Sequence, residues 1–197
     1  MSPEKQLTLP DVFRAIDENL QSNLTPYTRK GPTDRAREMQ KAAFGEDAME
    51  VTDAQYDELI EIVRKIRPWL SEHGRKDTYH PYLDSSEHEI FTLEQTDHDD
   101  SRYSINFEPI PWEQSAKFQE PYPKFSVAYE DTERSIEFRI NFDNTYELTI
   151  RNKQTKGIPF EASGLRRKHM KANEYKVVKY AIGAVTSHFG IPISIAL

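Results

Sequence analysis

Two groups of side chains in this sequence have types and spacing that suit chemistry, and the first is a run of cations near the C-terminus. From residue 151 to residue 179 there are nine Lys or Arg and two acids, a local net charge of +7, so the rest of the chain contributes −14 to the total of −7. Flexible cations and the positive end of a helix attract phosphates and carboxylates. We therefore predict a segment that binds an anionic partner, formed by Arg151, Lys153, Lys156, Arg166, Arg167, Lys168 and Lys171.

The chemical class of this partner stays open in the sequence. Nucleic acid would be bound through its phosphates, and an acidic patch on another protein would satisfy the same electrostatics. A simpler interpretation is that the cations neutralise the protein's own acids or form a solvated face. One observation disfavours this interpretation. We expect the run from Arg166 to Lys168 to lie in the first turn of the C-terminal helix, where acids are the usual residues, so cations at this position depart from the ordinary preference.

The second group combines histidines and acids in the middle of the chain. Imidazole and carboxylate groups suit zinc, manganese or iron, and an open coordination position would make a hydrolytic site. The spacings match no helical metal-binding pair, so we assign no catalytic residue, no metal ligand and no cofactor. The metal interpretation is kept as an alternative, with its ligands drawn from His80, His88, Asp97, His98 and Asp99.

Several classes of function are excluded or disfavoured by composition. The chain has no cysteine, which removes disulfides, thiolate metal sites and cysteine nucleophiles and favours a reducing, cytoplasmic location. No apolar stretch approaches the roughly 18 residues that a bilayer span requires, so we expect no membrane insertion. There is no Walker loop, no Gly-x-Gly-x-x-Gly and no Gly-x-Ser-x-Gly, which disfavours nucleotide-dependent catalysis.

Helices are predicted by caps and by apolar residues at helical spacing. Thr8 and Asp11 begin the first helix, and Thr33 is expected to cap a second, polar helix that ends near Phe44 and buries little. A third helix begins at Thr52, and we expect Pro68 to bend or stop it near Arg67. The last is an amphipathic C-terminal helix over residues 165–190. The uncharged tail after it is expected to be buried or to dock on a partner.

Strands are predicted by alternation of apolar and polar residues. Residues 102–151 contain four such segments, which predict a four-stranded antiparallel meander. A turn over residues 131–134 places Tyr129 opposite Ile136, and a three-residue turn after Phe142 places that residue opposite Tyr146. Before the meander, residues 84–100 contain seven acids and no Lys or Arg, so residues 75–101 are predicted to form an acidic loop.

Together these patterns predict one α+β domain over residues 1–197: a helical part to residue 74, the acidic loop, the meander and the C-terminal helix. The favoured function is that of a non-enzymatic interaction protein, such as an accessory subunit, an inhibitor or an immunity-type protein, whose basic C-terminal segment binds an anionic partner. One alternative is a metal-dependent hydrolase acting on a phosphorylated or nucleic-acid substrate. Another is an acidic mimic of nucleic acid that acts through residues 84–100.

Overall fold

The computed structural model describes residues 7–24, 31–80, 87–109 and 124–195. Within these ranges lie four α-helices, α1 (Leu9–Asn23), α2 (Pro32–Phe44), α3 (Asp53–His73) and α4 (Ala172–His188), and one 3-10 turn, Arg167–His169. The seven β-strands are β1 (Arg75–Tyr79), β2 (His88–Thr96), β3 (Arg102–Glu108), β4 (Lys124–Glu130), β5 (Arg134–Ile140), β6 (Thr145–Asn152) and β7 (Phe160–Arg166).

All seven strands form one antiparallel sheet in which each strand pairs with the next in sequence. The α+β class is therefore confirmed, but the predicted four-stranded meander is wrong, because β1, β2 and β7 extend it on both sides. The predicted acidic loop over residues 75–101 is also wrong, since it contains β1, β2 and a tight turn. Phe91 and Leu93 alternate on one face of β2 and pair with Phe107 and Ile105 of β3.

One face of the sheet carries the core, as the alternation predicted. Large side chains from β3 to β7 are buried there, including Ile105, Phe125, Phe138, Leu148 and Phe160. Helix α4 packs across β3, β4 and β5, while α3 packs on β2 and β3 and α2 packs on β7. Helix α1 lies between α2 and α4. The other face carries mainly polar residues such as Asn106, Glu137, Arg139 and Thr149.

The two predicted turns have different outcomes. The pairing of Tyr129 with Ile136 is confirmed, whereas Ile140, and not Phe142, lies opposite Tyr146. The two-residue shift keeps the same apolar face, so the hydrophobic pattern could not distinguish the two registers. Local polar bonds select the observed one: the backbone N–H of Asn141 bonds to the carbonyl of Thr145, and Asn144 is left-handed with φ of 62°.

Capping boxes begin α1 at Thr8 and α3 at Thr52, as predicted. Helix α3 does not stop at Arg67 but runs through Pro68 to His73, because its buried stripe continues to Leu70. Helix α2 also differs from the prediction. Its N-cap is Gly31, and it buries Ala36, Met39, Gln40, Ala42 and Ala43 against its neighbours. Three of these are alanines, whose small side chains allow the helix to approach β7 closely.

The predicted start of the C-terminal helix is wrong by several residues. Residues 160–166 form β7, the 3-10 turn follows, and α4 begins only at Ala172. The basic run therefore lies before the helix, and the first turn of α4 carries an acid, Glu174, in the ordinary way. After α4, Ile191 is buried and Ile193 and Ile195 pack on the core. None of the helices in the described ranges is both long and apolar enough to cross a membrane.

Candidate functional site

The predicted cationic segment divides into two groups at opposite ends of the sheet. Strand β6 pairs with β7 from Thr145, which lies opposite Arg166, to Ile150, which lies opposite Phe160. Arg151 is six residues beyond Thr145 in the same strand, a distance of about 20 Å at 3.3 Å per residue. Arg151, Lys153 and Lys156 thus lie at one end of β6, and residues 166–171 lie at the other.

At the first end, part of the positive charge is neutralised by the protein itself. Lys153 Nζ lies 2.8 Å from Glu130 Oε1 and also donates to the carbonyl of Asp131 at 2.8 Å. Arg151 and Lys156 are exposed and have no acid within ion-pair distance among the described residues. This end supports the interpretation of a solvated, partly self-neutralised face.

At the second end, residues 166–171 and Arg37 of α2 form a compact group that we call the cationic turn. Arg37 NH2 lies 3.5 Å from His169 Nε2, so this arginine joins a segment from which it is separated by 132 residues of sequence. An arginine can only donate, so Nε2 of His169 accepts this hydrogen bond, and the ring is neutral with its proton on Nδ1. Arg37 had no signal in the sequence as a member of the site.

Some cations of the turn are paired and others are not. Arg167 NH1 bonds to Asp57 Oδ1 at 3.3 Å, and its guanidinium lies 5.3 Å from the centre of the Tyr56 ring. Lys171 Nζ lies 3.7 Å from Glu50 Oε1. Within the described ranges, Arg37, Arg166 and Lys168 have no acid within 4.0 Å, and all three are exposed. These three charges are available to a ligand.

The backbone of the turn is held by hydrogen bonds on both sides. The carbonyl of Met170, a fully buried residue, accepts from the N–H of Val51 at 2.8 Å, and the N–H of Ala172 donates to the carbonyl of Met49 at 2.9 Å. Glu50 and Lys171 form an isolated antiparallel bridge between these bonds. The cations are therefore mounted on fixed backbone, which lowers the entropic cost of binding.

A buried polar network lies beneath the turn. Glu174 is 0% exposed, and its Oε2 accepts from the backbone N–H of Lys171 at 2.6 Å and from Gln40 Nε2 at 2.7 Å. The hydroxyl of Tyr146 donates to the same carboxyl group at 3.1 Å. Gln40 Nε2 also donates to the carbonyl of His169 at 2.7 Å. We call Gln40, Tyr146 and Glu174 the Glu174 network; it ties α2, β6 and α4 to the turn.

The surroundings of the turn shift the pKa values of Glu174 and His169, as well as that of Tyr146, which burial raises. Burial raises the pKa of Glu174 to about 7, although the hydrogen bonds from Lys171, Gln40 and Tyr146 and the Lys171 charge act against it. Burial and the charges of Arg37 and Lys168 lower the pKa of His169 below its ordinary value, despite the nearby Glu50. Burial is the largest cause of the lowered pKa of His169, and the charges of Arg37 and Lys168 act in the same direction.

The histidines and acids of the alternative metal site are not brought together. His88 is the first residue of β2 and Asp97 follows its last, a separation of roughly 30 Å along the strand. His98 and Asp99 lie in the same turn as Asp97, while His80 lies beyond β1 at the other end. No cluster of three His, Cys, Asp or Glu residues suited to a metal occurs in the part of the chain that the structure describes.

His88 instead belongs to a buried cluster that the sequence did not reveal. Its Nδ1 lies 2.8 Å from Oε1 of Glu108, and both residues are 2% exposed. The hydroxyl of Tyr79 donates to the same oxygen at 2.6 Å, and Lys124 Nζ lies 3.4 Å from Glu108 Oε2. Among the described residues, that Oε2 is a buried oxygen without a hydrogen bond. These four residues form the Glu108 cluster, which joins β1, β2, β3 and β4.

Comparison with protein-family models, with curated protein sequences and with solved structures gives no match. The geometry of the cationic turn is therefore the basis for the function proposed below.

Proposed function

We propose that this chain is a non-enzymatic interaction protein whose cationic turn binds an acidic segment of another protein. The observation that carries the proposal is the approach of two exposed, unpaired cations, Arg37 of α2 and Lys168 of the 3-10 turn, to His169, on backbone fixed by Met170 and the Glu174 network. Arginine pairs with carboxylates through two parallel hydrogen bonds, so the turn suits a partner that presents Asp or Glu.

The size and surroundings of the turn favour an acidic protein over nucleic acid. Nucleic acid is a long, regularly charged polymer, which needs an extended basic track. Between the two basic ends of β6 and β7 lie Glu147 and Glu161, on the same polar face as Arg151 and Arg166. These acids would repel a phosphate backbone that ran from one end to the other. A short acidic segment would contact only the turn.

An exposed apolar side chain beside the turn supports the same choice. Met49 is 61% exposed, and its carbonyl is bonded to the N–H of Ala172 immediately after the turn. Methionine adapts its shape to apolar partners and is common at binding surfaces. An acidic segment with one apolar residue could contact both Met49 and the cations, whereas a bare phosphate backbone would leave Met49 in water.

Salt-dependent retention on immobilised poly-L-glutamate tests the proposal. The double variant Arg166→Glu/Lys168→Glu should elute at much lower salt than the wild type, because it reverses two unpaired charges of the turn. The matched control is Arg151→Glu/Lys156→Glu, which makes the same change in net charge at the other end of β6. Equal losses in the two variants would contradict a specific site, and stronger retention on a single-stranded oligonucleotide would overturn the choice of partner.

A further inference from the structure

The Glu174 network offers a way for the cationic turn to sense protons. Its carboxyl group is linked to the turn by two routes: one hydrogen bond from the N–H of Lys171, and two hydrogen bonds through Gln40 to the carbonyl of His169. Glu174 itself is shielded from solvent completely. A change in its charge is therefore felt most strongly by the groups of the turn, because little water lies between them to screen it.

We propose that an anion bound at the cationic turn drives the uptake of a proton by Glu174, so that falling pH tightens binding. This inference rests on the proposed function, because it concerns regulation of the same site. It assigns a role to a buried acid that does not contact the partner.

The groups that face Glu174 determine the direction of the coupling. Lys171 of the turn has a positive charge that stabilises the ionised carboxylate. Gln40 of α2 and Tyr146 of β6 donate hydrogen bonds to it. Tyr56 of α3 acts electrostatically on Tyr146. An anion at the turn neutralises the exposed cations Arg37 and Lys168 and adds a negative charge of its own. Both effects disfavour the carboxylate and favour its protonated form.

The starting state of Glu174 makes this coupling effective near neutral pH. Burial already holds the pKa of Glu174 at about 7, so a further rise changes its protonation between pH 7 and 8. If the anion raises that pKa by one unit, the protein takes up about half a proton at pH 7.5, and its affinity falls up to about tenfold from pH 6 to pH 9. By reciprocity, protons and anion strengthen each other's binding.

The proton uptake of other titrating groups at the turn can be distinguished from that of Glu174 by the pH range in which it occurs. His169 lies among Arg37, Lys168 and Glu50, and an anion that neutralises the two cations would also favour its protonation. The pKa of His169 lies below its ordinary value, so its contribution appears at lower pH than that of Glu174. Glu50 faces His169 and Lys171 from the segment between α2 and α3.

Isothermal titration of the whole chain with poly-L-glutamate of about 20 residues, in two buffers of different ionisation enthalpy, measures the coupled protons. At pH 7.5 the wild type should take up about half a proton, and Glu174→Gln should take up almost none. Glu161→Gln, which removes one exposed negative charge from the far part of β7, is the control and should behave like the wild type. Binding without proton uptake at pH 7.5 would overturn the inference and leave the proposed function standing, whereas absence of binding at every pH would refute the proposed function.

Carbon-13 NMR of the carboxyl groups keeps the test valid if Glu174→Gln folds poorly. In labelled wild-type protein, the titration midpoint of Glu174 should rise by about one pH unit when unlabelled poly-L-glutamate is added. A midpoint that does not move while the peptide binds would contradict the inference.

Discussion

Glu174 and Glu108 are both buried carboxyl groups, but the protein surrounds them differently. Both oxygens of Glu174 accept hydrogen bonds, and the donors are a backbone N–H, an amide and a phenol. Glu108 faces an imidazole, a phenol and an ammonium, and one of its oxygens lacks a hydrogen bond within the described ranges. Neutral donors satisfy the hydrogen bonds of a carboxylate without cancelling its charge, so the surroundings of Glu174 suit a carboxyl group that exchanges protons. The surroundings of Glu108 suit a structural role, because its partners join the ends of neighbouring strands.

The largest expected effect is on the Glu108 cluster. His88→Ala should lower the free energy of unfolding by about 3 to 5 kcal/mol, because it leaves the buried Glu108 carboxyl without its ring partner and opens a cavity. Urea denaturation measures the loss. His80→Ala, at an exposed histidine beyond β1, should change it by less than about 0.5 kcal/mol. Similar losses in both variants would show that the buried pair contributes nothing particular to stability.

The next effect is a pH dependence that belongs to Glu174. Its folded-state pKa of about 7 is raised above the ordinary 4.5, so its stabilising contribution is complete below 4.5 and is lost as pH rises through 7. Glu174→Gln removes this dependence. The stability of the variant relative to the wild type should therefore increase by roughly 3 kcal/mol between pH 4.5 and pH 8, measured by urea denaturation of both proteins at the two pH values. A constant difference between them would contradict an acid that titrates near neutrality.

The sequence could predict the elements in which periodicity and caps agree. The capping boxes of α1 and α3 and the alternation of β3 to β6 follow from local residues alone. Strand β7 was missed because its pattern is interrupted by a bulge: Tyr146 pairs with Leu165, Glu147 pairs with Ser163, and Gly164 between them has φ of 70°. The extra residue shifts the apolar positions from Phe160 and Ala162 to Leu165, which breaks the period of two.

The site could be predicted only in part, for a similar reason. Local charge identified residues 166–171, but Arg37 and Gln40 belong to a helix that the sequence presented as polar and solvated. Gln40 is buried because it bonds to His169 and Glu174, more than 120 residues away in the chain. No local pattern records such a contact. The acids of β2 led to the wrong prediction of an exposed acidic loop. In the structure, Glu89 and Glu94 are paired with Lys76 and Arg102 of the adjacent strands.

A smaller effect is expected from the phenols of the two clusters. Tyr79→Phe and Tyr146→Phe each remove one hydroxyl that donates to a buried carboxyl group, and each should cost about 1 to 3 kcal/mol in unfolding free energy. Only Tyr146→Phe should also change the titration of Glu174, because the hydrogen bond from Tyr146 opposes the rise in the pKa of that residue. The carboxyl midpoint of Glu174, followed by carbon-13 NMR, should move upward in this variant. Tyr79→Phe serves as the control, and a shift of the same size there would contradict the separation of the clusters.

The smallest effect is expected from Lys124, whose removal tests how Glu108 is compensated. Its ammonium lies 3.4 Å from Glu108 Oε2, yet its side chain is 35% exposed, so water screens much of the attraction. Lys124→Met keeps the length of the stem and removes the charge. We expect a loss below about 1 kcal/mol in urea denaturation, far less than that of His88→Ala. If Lys124→Met and His88→Ala cost the same stability, the ammonium of Lys124 would be the main counter-charge of Glu108. The difference between Glu108 and Glu174 would then be an ion pair with a lysine, and not the contact with the imidazole of His88.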